Sequence, residues 1–171
     1  MTTARIQQSI AGVISYLSEN PEKARVVDKA AVATLQDGLS CKAEGANGAT
    51  LVSDMPKSVG GSGAAPTPGW LLRAALASCD ATVIAMRAAQ LGVTLDRLEV
   101  TVDSVSDDRG IFGLGDDIPA GPQSMRIRVV VAAAGASPGQ LRQIVEWAEA
   151  HSPVGDAIRR AVPTTMEIEV P

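Results

Sequence analysis

The residues best able to carry chemistry are two cysteines, Cys41 and Cys79, and a single histidine, His151. A deprotonated cysteine is a strong nucleophile, so thiol redox chemistry is the first hypothesis. The cysteines lack CxxC spacing and one histidine does not complete a tetrahedral zinc site, so neither a structural metal nor a cofactor is expected. Because the first residues form no apolar signal segment, we expect a reduced pair of thiols in the cytoplasm.

Cys79 follows a glycine-rich loop at residues 60–63, which leads through Thr67 and Pro68 into a long apolar run. Thr67 is a predicted helix N-cap and Pro68 a predicted first helical residue, because proline lacks an N–H that would be unpaired there. Cys79 then lies about three turns into the helix, at about 3.6 residues per turn. It shares a face with apolar side chains, so a small core residue is the alternative to a nucleophile.

Three charged residues of this helix, Arg73, Asp80 and Arg87, recur at intervals of seven. Residues with that spacing lie on one stripe of a helix, which predicts a face directed at solvent or at another subunit. The same charges interrupt the apolar run and argue against a membrane span.

Helices and strands are predicted on both sides of this long helix. Helical spacing of apolar residues predicts an N-terminal helix within residues 1–20, and the pairs Asp37-Gly38 and Asn47-Gly48 predict tight hairpins. Strands are predicted at residues 31–36, 39–44, 50–54, 98–103, 125–133 and 165–170, and further helices at 137–151 and 153–161. This order predicts an α+β protein with mainly antiparallel sheets and a single domain over residues 1–171.

Composition and charge narrow the class of protein. The chain has 171 residues, of which 46% are hydrophobic and 20% charged, which suits one folded core. Its net charge of −4 lacks the basic footprint of a nucleic-acid-binding protein. Aromatic residues make up only 2%, so the core must consist of small aliphatic side chains that allow close backbone approach.

Three motifs resemble the OsmC/Ohr family (osmotically induced protein C and organic hydroperoxide resistance protein). They are the glycine-rich loop with Pro68, the run ALASC that ends at Cys79, and the run HSPV at residues 151–154, within a resemblance over roughly residues 26–170. The resemblance implies an intertwined homodimer around long central helices, with active sites between the subunits. It also implies a function in oxidative-stress defence, with an organic hydroperoxide as substrate. Because Ser152 cannot form a disulfide, reduction of an oxidised Cys79 would need an external thiol or Cys41.

Each functional position of the family can be matched to one residue of this sequence. Cys79 matches the cysteine that attacks the peroxide, and Ser152 stands where the family usually carries a second, resolving cysteine. Gly69 stands at the position of the glutamate of the Ohr branch, and Gln36 at the position of its arginine. One of the four catalytic positions therefore keeps its chemistry.

For several residues the sequence leaves two alternative roles open. Cys41 is either a core residue on a strand or a surrogate resolving thiol, and Ser152 is also a predicted N-cap. Trp70, Met86 and His151 are candidates for lining a pocket, with core packing or helix capping as the alternative.

Two functions follow from these residues. The first is a thiol-dependent reductase of organic hydroperoxides that uses Cys79. The second is a non-peroxidatic homodimer that binds a small apolar ligand at the subunit interface, which the losses at Gly69, Gln36 and Ser152 favour. Neither hypothesis involves a nucleic acid or a membrane.

Overall fold

The computed structural model describes residues 2–170, so residues 1 and 171, the ends of the predicted domain, lie outside it. The α-helices are α1 (Thr3–Glu19), α2 (Pro68–Gln90), α3 (Pro138–Ala150) and α4 (Pro153–Arg159), and three single-turn 3-10 helices lie at Pro21–Lys23, Ala46–Gly48 and Lys57–Val59. The strands are β1 (Val32–Leu35), β2 (Cys41–Glu44), β3 (Thr50–Ser53), β4 (Arg97–Val105) and β5 (Ser124–Ala132). All strand pairs are antiparallel, so the predicted α+β class with mainly antiparallel sheets is confirmed.

The described chain divides into two compact units, one of residues 11–75 and one of residues 2–10 with 76–170. The single-domain organisation drawn from the sequence stays a prediction. In the unit of residues 11–75, β1, β2 and β3 form a three-stranded sheet in sequence order.

The two hairpins of this sheet use the turn residues that the sequence indicated. Gly38, Asn47 and Gly48 have φ angles of 55°, 61° and 74°. Glycine and asparagine tolerate this left-handed region, which most side chains avoid. Cys41 lies opposite Leu35 on one neighbouring strand and Ser53 on the other.

The core of the other unit lies between the second half of α2, helix α3 and the β4–β5 pair. Its buried residues are Ile84, Ala88, Val93, Ala133, Ile144 and Ala148. Half of these are alanines, and Ala88 and Ala148 are only 1% and 0% exposed. Small side chains therefore fill much of this core, as the scarcity of aromatic residues predicted.

Helix α2 is by length and composition apolar enough to cross a membrane. This is weak evidence, because the core helix of a soluble protein passes the same test. The absence of a membrane span, which we expected from the three charges on α2, stays a prediction.

Three helices begin at N-cap residues, the predicted caps Thr67 and Ser152 and, for α3, Ser137. Each side-chain oxygen accepts a hydrogen bond from the backbone N–H three residues further on, at 3.2, 3.2 and 3.1 Å. A proline follows each cap as the first helical residue. Local sequence therefore determines where these helices start.

The predicted strand at residues 165–170 is wrong. Residues 161–170 have no regular secondary structure, and the alternating side chains of Met166, Ile168 and Val170 are 85%, 77% and 87% exposed. Alternation marks a segment with one apolar face, but a strand also needs a neighbour for its backbone hydrogen bonds. No strand among the described residues supplies that neighbour.

The glycine-rich loop before α2 is organised by the buried carboxylate of Asp54, which is 1% exposed. This carboxylate accepts hydrogen bonds from the Ser62 hydroxyl at 2.5 Å and from the backbone N–H groups of Met55, Ser62 and Ala64 at 2.7, 3.1 and 3.1 Å. These bonds, the hydroxyl's first, lower the pKa of Asp54 to about 2. Asp54 therefore stabilises the fold above its ordinary pKa of 3.8, and this contribution is lost as the pH falls towards 2.

Gly61 in this loop has no room for a side chain, because a Cβ there would lie 1.9 Å from the Met55 carbonyl oxygen. We expect Gly61→Ala to lower the free energy of unfolding by roughly 1–3 kcal/mol, since the backbone must shift. Urea denaturation measures the change. Gly121→Ala is the matched control, since a Cβ there meets nothing within 4 Å. Equal stability of the two variants would contradict this packing.

Candidate functional site

The fold brings two of the predicted site residues, Cys79 and Ser152, into contact. The Ser152 hydroxyl donates a hydrogen bond to Cys79 Sγ at 3.4 Å and accepts one from the Gly155 N–H at 3.1 Å. Cys79 lies in the middle of α2 and is half-buried, whereas Ser152 at the start of α4 is fully buried. A serine thus occupies a position from which a second thiol would reach Cys79.

Asp80, the next residue on α2, adds a buried carboxyl group to this pair. It is 3% exposed, and its Oδ1 has no hydrogen-bond partner among the described residues. Burial is the main cause that raises the pKa of Asp80, and hydrogen bonding with Ser152 opposes the rise. The charge of Glu149 on α3 raises this pKa further, and the guanidinium of Arg159 on α4 lowers it.

Burial of Asp80 corrects one expectation from the sequence. The stripe of Arg73, Asp80 and Arg87 was predicted to face solvent or another subunit, yet Asp80 is buried within this chain. The buried stripe of α2 runs instead through Leu76, Asp80, Ile84 and Ala88, at intervals of four. Such intervals also describe one helix face, so this pattern was the available signal for Asp80 as a site residue.

A small cavity of about 140 Å³ lies beside the Asp80 carboxyl. Its other lining residues are the aliphatic Ile84, Ile127, Val129 and Val145, together with Glu149. The surroundings of Asp80 are therefore largely apolar, which explains the cost of its negative charge.

His151 stacks on the side chain of Trp147 at the end of α3. The ring centroids are 3.9 Å apart with 10° between the planes, and His151 Nδ1 lies 2.6 Å from the Trp147 carbonyl oxygen. On α2, the Arg87 guanidinium lies 4.3 Å from the centre of the Trp147 ring. His151 is exposed at the C-cap of α3, in keeping with the capping interpretation.

Three other predicted positions, Gln36, Gly69 and Trp70, lie in the unit of residues 11–75. Trp70 is 50% exposed and lines a groove of about 540 Å³ with residues of the loop before α2. A Cβ on Gly69 would lie 4.0 Å from Arg73 Nη1, so a guanidinium stands near the position of the family's glutamate. Gln36 is exposed, and its side-chain amide donates to the Thr34 carbonyl at 3.4 Å. The roles of these positions stay predictions.

Two further candidates have unremarkable surroundings. Met86 is 42% exposed on α2, and Cys41 is half-buried in β2. Their predicted roles, as a pocket wall and as a surrogate resolving thiol, are untested.

Three reactive groups lie at this site: the thiol of Cys79, the hydroxyl of Ser152 and the carboxyl group of Asp80. Both cysteines are free, and no cluster of histidine, cysteine or acidic residues within the described range can hold a metal ion. The arrangement is suited to moving a proton and to attack by sulfur.

Asp80→Asn tests the cost of this buried charge. Because the folded-state pKa of Asp80 is raised, Asp80 destabilises the fold as the pH rises above its ordinary pKa of 3.8. We expect the amide variant to have a higher Tm than the parent at neutral pH and an advantage that shrinks as the pH falls towards 3.8. Asp116→Asn, in an exposed loop, is the control. A lower Tm for Asp80→Asn across the whole pH range would contradict the expectation.

Comparison with known proteins identifies the family to which this chain is similar. The family model for OsmC-like protein matches residues 60–167. An OsmC-like protein from Mycoplasma pneumoniae has the same fold, with 14% identity, a TM-score of 0.67, and coverage of 80% of this chain and 91% of that chain. No curated protein matches the sequence.

Two organic hydroperoxide resistance proteins also share the fold. OsmC from Legionella pneumophila is 22% identical, with a TM-score of 0.54, and the match covers 79% of this chain and 91% of that chain. OhrB from Bacillus subtilis is 18% identical, with a TM-score of 0.50 and coverage of 77% and 92%.

The family match spans the glycine-rich loop, the cysteine helix and the junction of α3 and α4, and covers more than half of the chain. It includes the three motifs on which the resemblance rested, and the solved structures share the predicted fold. The chain therefore belongs to the OsmC/Ohr family.

Proposed function

We propose that this protein is a thiol-dependent reductase of organic hydroperoxides, with Cys79 as the attacking thiol and an external thiol as the reductant. Family membership and the hydroperoxide resistance proteins of the same fold support a function in the response to oxidative stress. The observation that carries the proposal is the 3.4 Å contact between Cys79 Sγ and Ser152 Oγ. It joins the family's attacking position to its second functional position within one chain.

The reaction follows from thiol chemistry. The Cys79 thiolate attacks the terminal oxygen of the hydroperoxide, the O–O bond breaks, and a cysteine sulfenic acid and an alkoxide form. The alkoxide takes up the proton that the thiol had released and leaves as the alcohol. Ser152 forms no disulfide, so a thiol from outside the chain condenses with the sulfenic acid and releases water. A second external thiol then restores the Cys79 thiol by disulfide exchange.

A cytoplasmic homodimer is the form that we propose for the active protein. The free state of both cysteines is in keeping with a reducing compartment. Exposed apolar side chains on the C-terminal segment, Met166, Ile168 and Val170, support a second subunit that covers them. The net charge of −4 gives no reason to expect a nucleic-acid partner.

One further observation favours the alternative function, binding of a small apolar ligand. A groove of about 550 Å³ lies between β5 and α3, and its lining includes Val129, Val131, Leu141 and Val145. Grooves of this size and lining accommodate small organic molecules. A compound that co-purifies with the protein, detected by native mass spectrometry, would favour this alternative.

Cys79→Ala tests the proposed reaction. We expect the reduced parent protein to consume a bulky organic hydroperoxide with selective sulfenylation of Cys79, and Cys79→Ala to lose that consumption, because the attacking sulfur is gone. Stopped-flow kinetics and mass shifts at each cysteine provide the measurement. Cys41→Ala is the matched control and should keep the fast phase. Oxidation of Cys79 no faster than that of an ordinary free thiol would refute the proposal.

Ser152→Cys tests whether this position still suits a resolving thiol. Because Ser152 Oγ lies 3.4 Å from Cys79 Sγ, a small side-chain adjustment gives the S–S bond length of about 2.05 Å. We expect the variant to form an intramolecular disulfide with Cys79 on mild oxidation, observed by thiol counting and non-reducing peptide mapping. Ala157→Cys, on the exposed side of α4, is the control and should stay reduced. Absence of the disulfide would show that the two side chains do not meet as described.

A further inference from the structure

We propose that Asp80 and Ser152 form a proton relay for Cys79, in which the Ser152 hydroxyl carries the thiol proton to the buried Asp80 carboxylate. This inference rests on the proposed role of Cys79 as the attacking thiol. It gives the serine at the position of the family's second thiol a chemical role of its own.

The hydrogen bonds of Ser152 suit a relay. A hydroxyl group accepts two hydrogen bonds and donates one. Ser152 Oγ accepts from the Gly155 N–H at 3.1 Å and donates to Cys79 Sγ, which lies 3.4 Å away. Hydrogen bonding with Ser152 also lowers the pKa of Asp80, so rotation of the hydroxyl directs its single proton to either neighbour, according to whether Cys79 carries its own proton. The helix start thus uses one acceptor site, and the other acceptor site and the single proton remain for Cys79 and Asp80. Ser152 is 0% exposed, so bulk water does not compete.

Asp80 is suited to receive the proton. Its carboxyl group is 3% exposed and Oδ1 has no partner among the described residues, so the negative charge is poorly solvated. Two charged groups face it from the neighbouring helices, Glu149 on α3 and Arg159 on α4, and they form an ion pair with each other. Uptake of a proton removes an unfavourable buried charge, which makes Asp80 a better base than an exposed carboxylate.

The relay balances the proposed reaction without an additional co-reactant. The S–H proton of Cys79 moves to Ser152 Oγ while the Ser152 proton moves to the Asp80 carboxylate. The thiolate then attacks the terminal oxygen of the hydroperoxide, which keeps its hydrogen, and the O–O bond breaks. The leaving alkoxide takes a proton back from Asp80, which restores the carboxylate and releases the alcohol.

A simpler interpretation makes the opposite prediction. If the Asp80 charge only repels the neighbouring thiolate, its removal increases the reactivity of Cys79. If Asp80 accepts the proton, its removal decreases that reactivity at neutral pH. The sign of the change therefore distinguishes the two.

The experiment measures alkylation of Cys79 by iodoacetamide over a range of pH, in the full-length Cys41→Ala protein, so that a single thiol reports. We expect Asp80→Asn and Ser152→Ala each to slow alkylation at neutral pH by about tenfold or more. The alkylation rate of the double variant should equal that of the slower single variant, because the two residues act as one unit and their effects do not add. At strongly alkaline pH hydroxide removes the proton directly, so all rates should converge. Circular dichroism verifies that each variant is folded.

Two variants complete the comparison. Ser152→Thr keeps the hydroxyl and the helix cap and should retain most of the rate. Glu146→Gln, an exposed carboxyl group of α3, should leave the rate unchanged. A rate for Asp80→Asn equal to or above that of the parent overturns the relay, and so does an unchanged rate for Ser152→Ala. Slower alkylation in both variants, combined with no reaction of the parent with peroxide, supports the relay and refutes only the peroxidase function.

Discussion

Burial of one stripe of α2 is the constraint on which the candidate site depends. Leu76, Asp80, Ile84 and Ala88 face the interior at intervals of four residues, and the small Ala88 leaves room for neighbouring elements. Because successive helical residues point about 100° apart, a buried Asp80 leaves Cys79 at the edge of that stripe, half-buried. The core packing of the helix therefore determines both the exposure of the thiol and the desolvation of the carboxyl group beside it.

Ser152 connects the packing of the helices to the chemistry of the cysteine. Its hydroxyl caps α4 through the Gly155 N–H and contacts Cys79 through the same oxygen. An N-cap contributes about 0.5–2 kcal/mol, so this serine has a structural reason to be present even without catalysis. A thiol sulfur accepts hydrogen bonds more weakly than a hydroxyl oxygen, so serine at this position caps α4 better than cysteine would, but it cannot form a disulfide. The external thiol in the proposed reaction compensates for that loss.

A buried carboxylate with an unpartnered oxygen costs stability, and carboxyl groups perturbed in this way cluster at functional sites. Asp80 is such a carboxylate, because its Oδ1 has no partner among the described residues. The guanidinium of Arg159 offsets its negative charge only partly, because Arg159 is already paired with Glu149. Asp54, which is also buried, provides a contrast because its carboxylate is fully hydrogen-bonded. Four hydrogen bonds from the adjacent loop surround Asp54, so its charge stabilises the fold instead of opposing it.

The sequence by itself determined the local features of this protein. Proline after serine or threonine fixed the helix starts at Thr67, Ser137 and Ser152, and Asp-Gly and Asn-Gly fixed the hairpins, because capping and backbone conformation depend on a few adjacent residues. Only the tertiary structure decided which side of α2 is buried, since heptad spacing and four-residue spacing both describe a helix face. It also decided the fate of residues 165–170, because a strand forms only beside a partner. The contact of Cys79 with Ser152, residues 73 positions apart, arises from helix packing that no local pattern encodes.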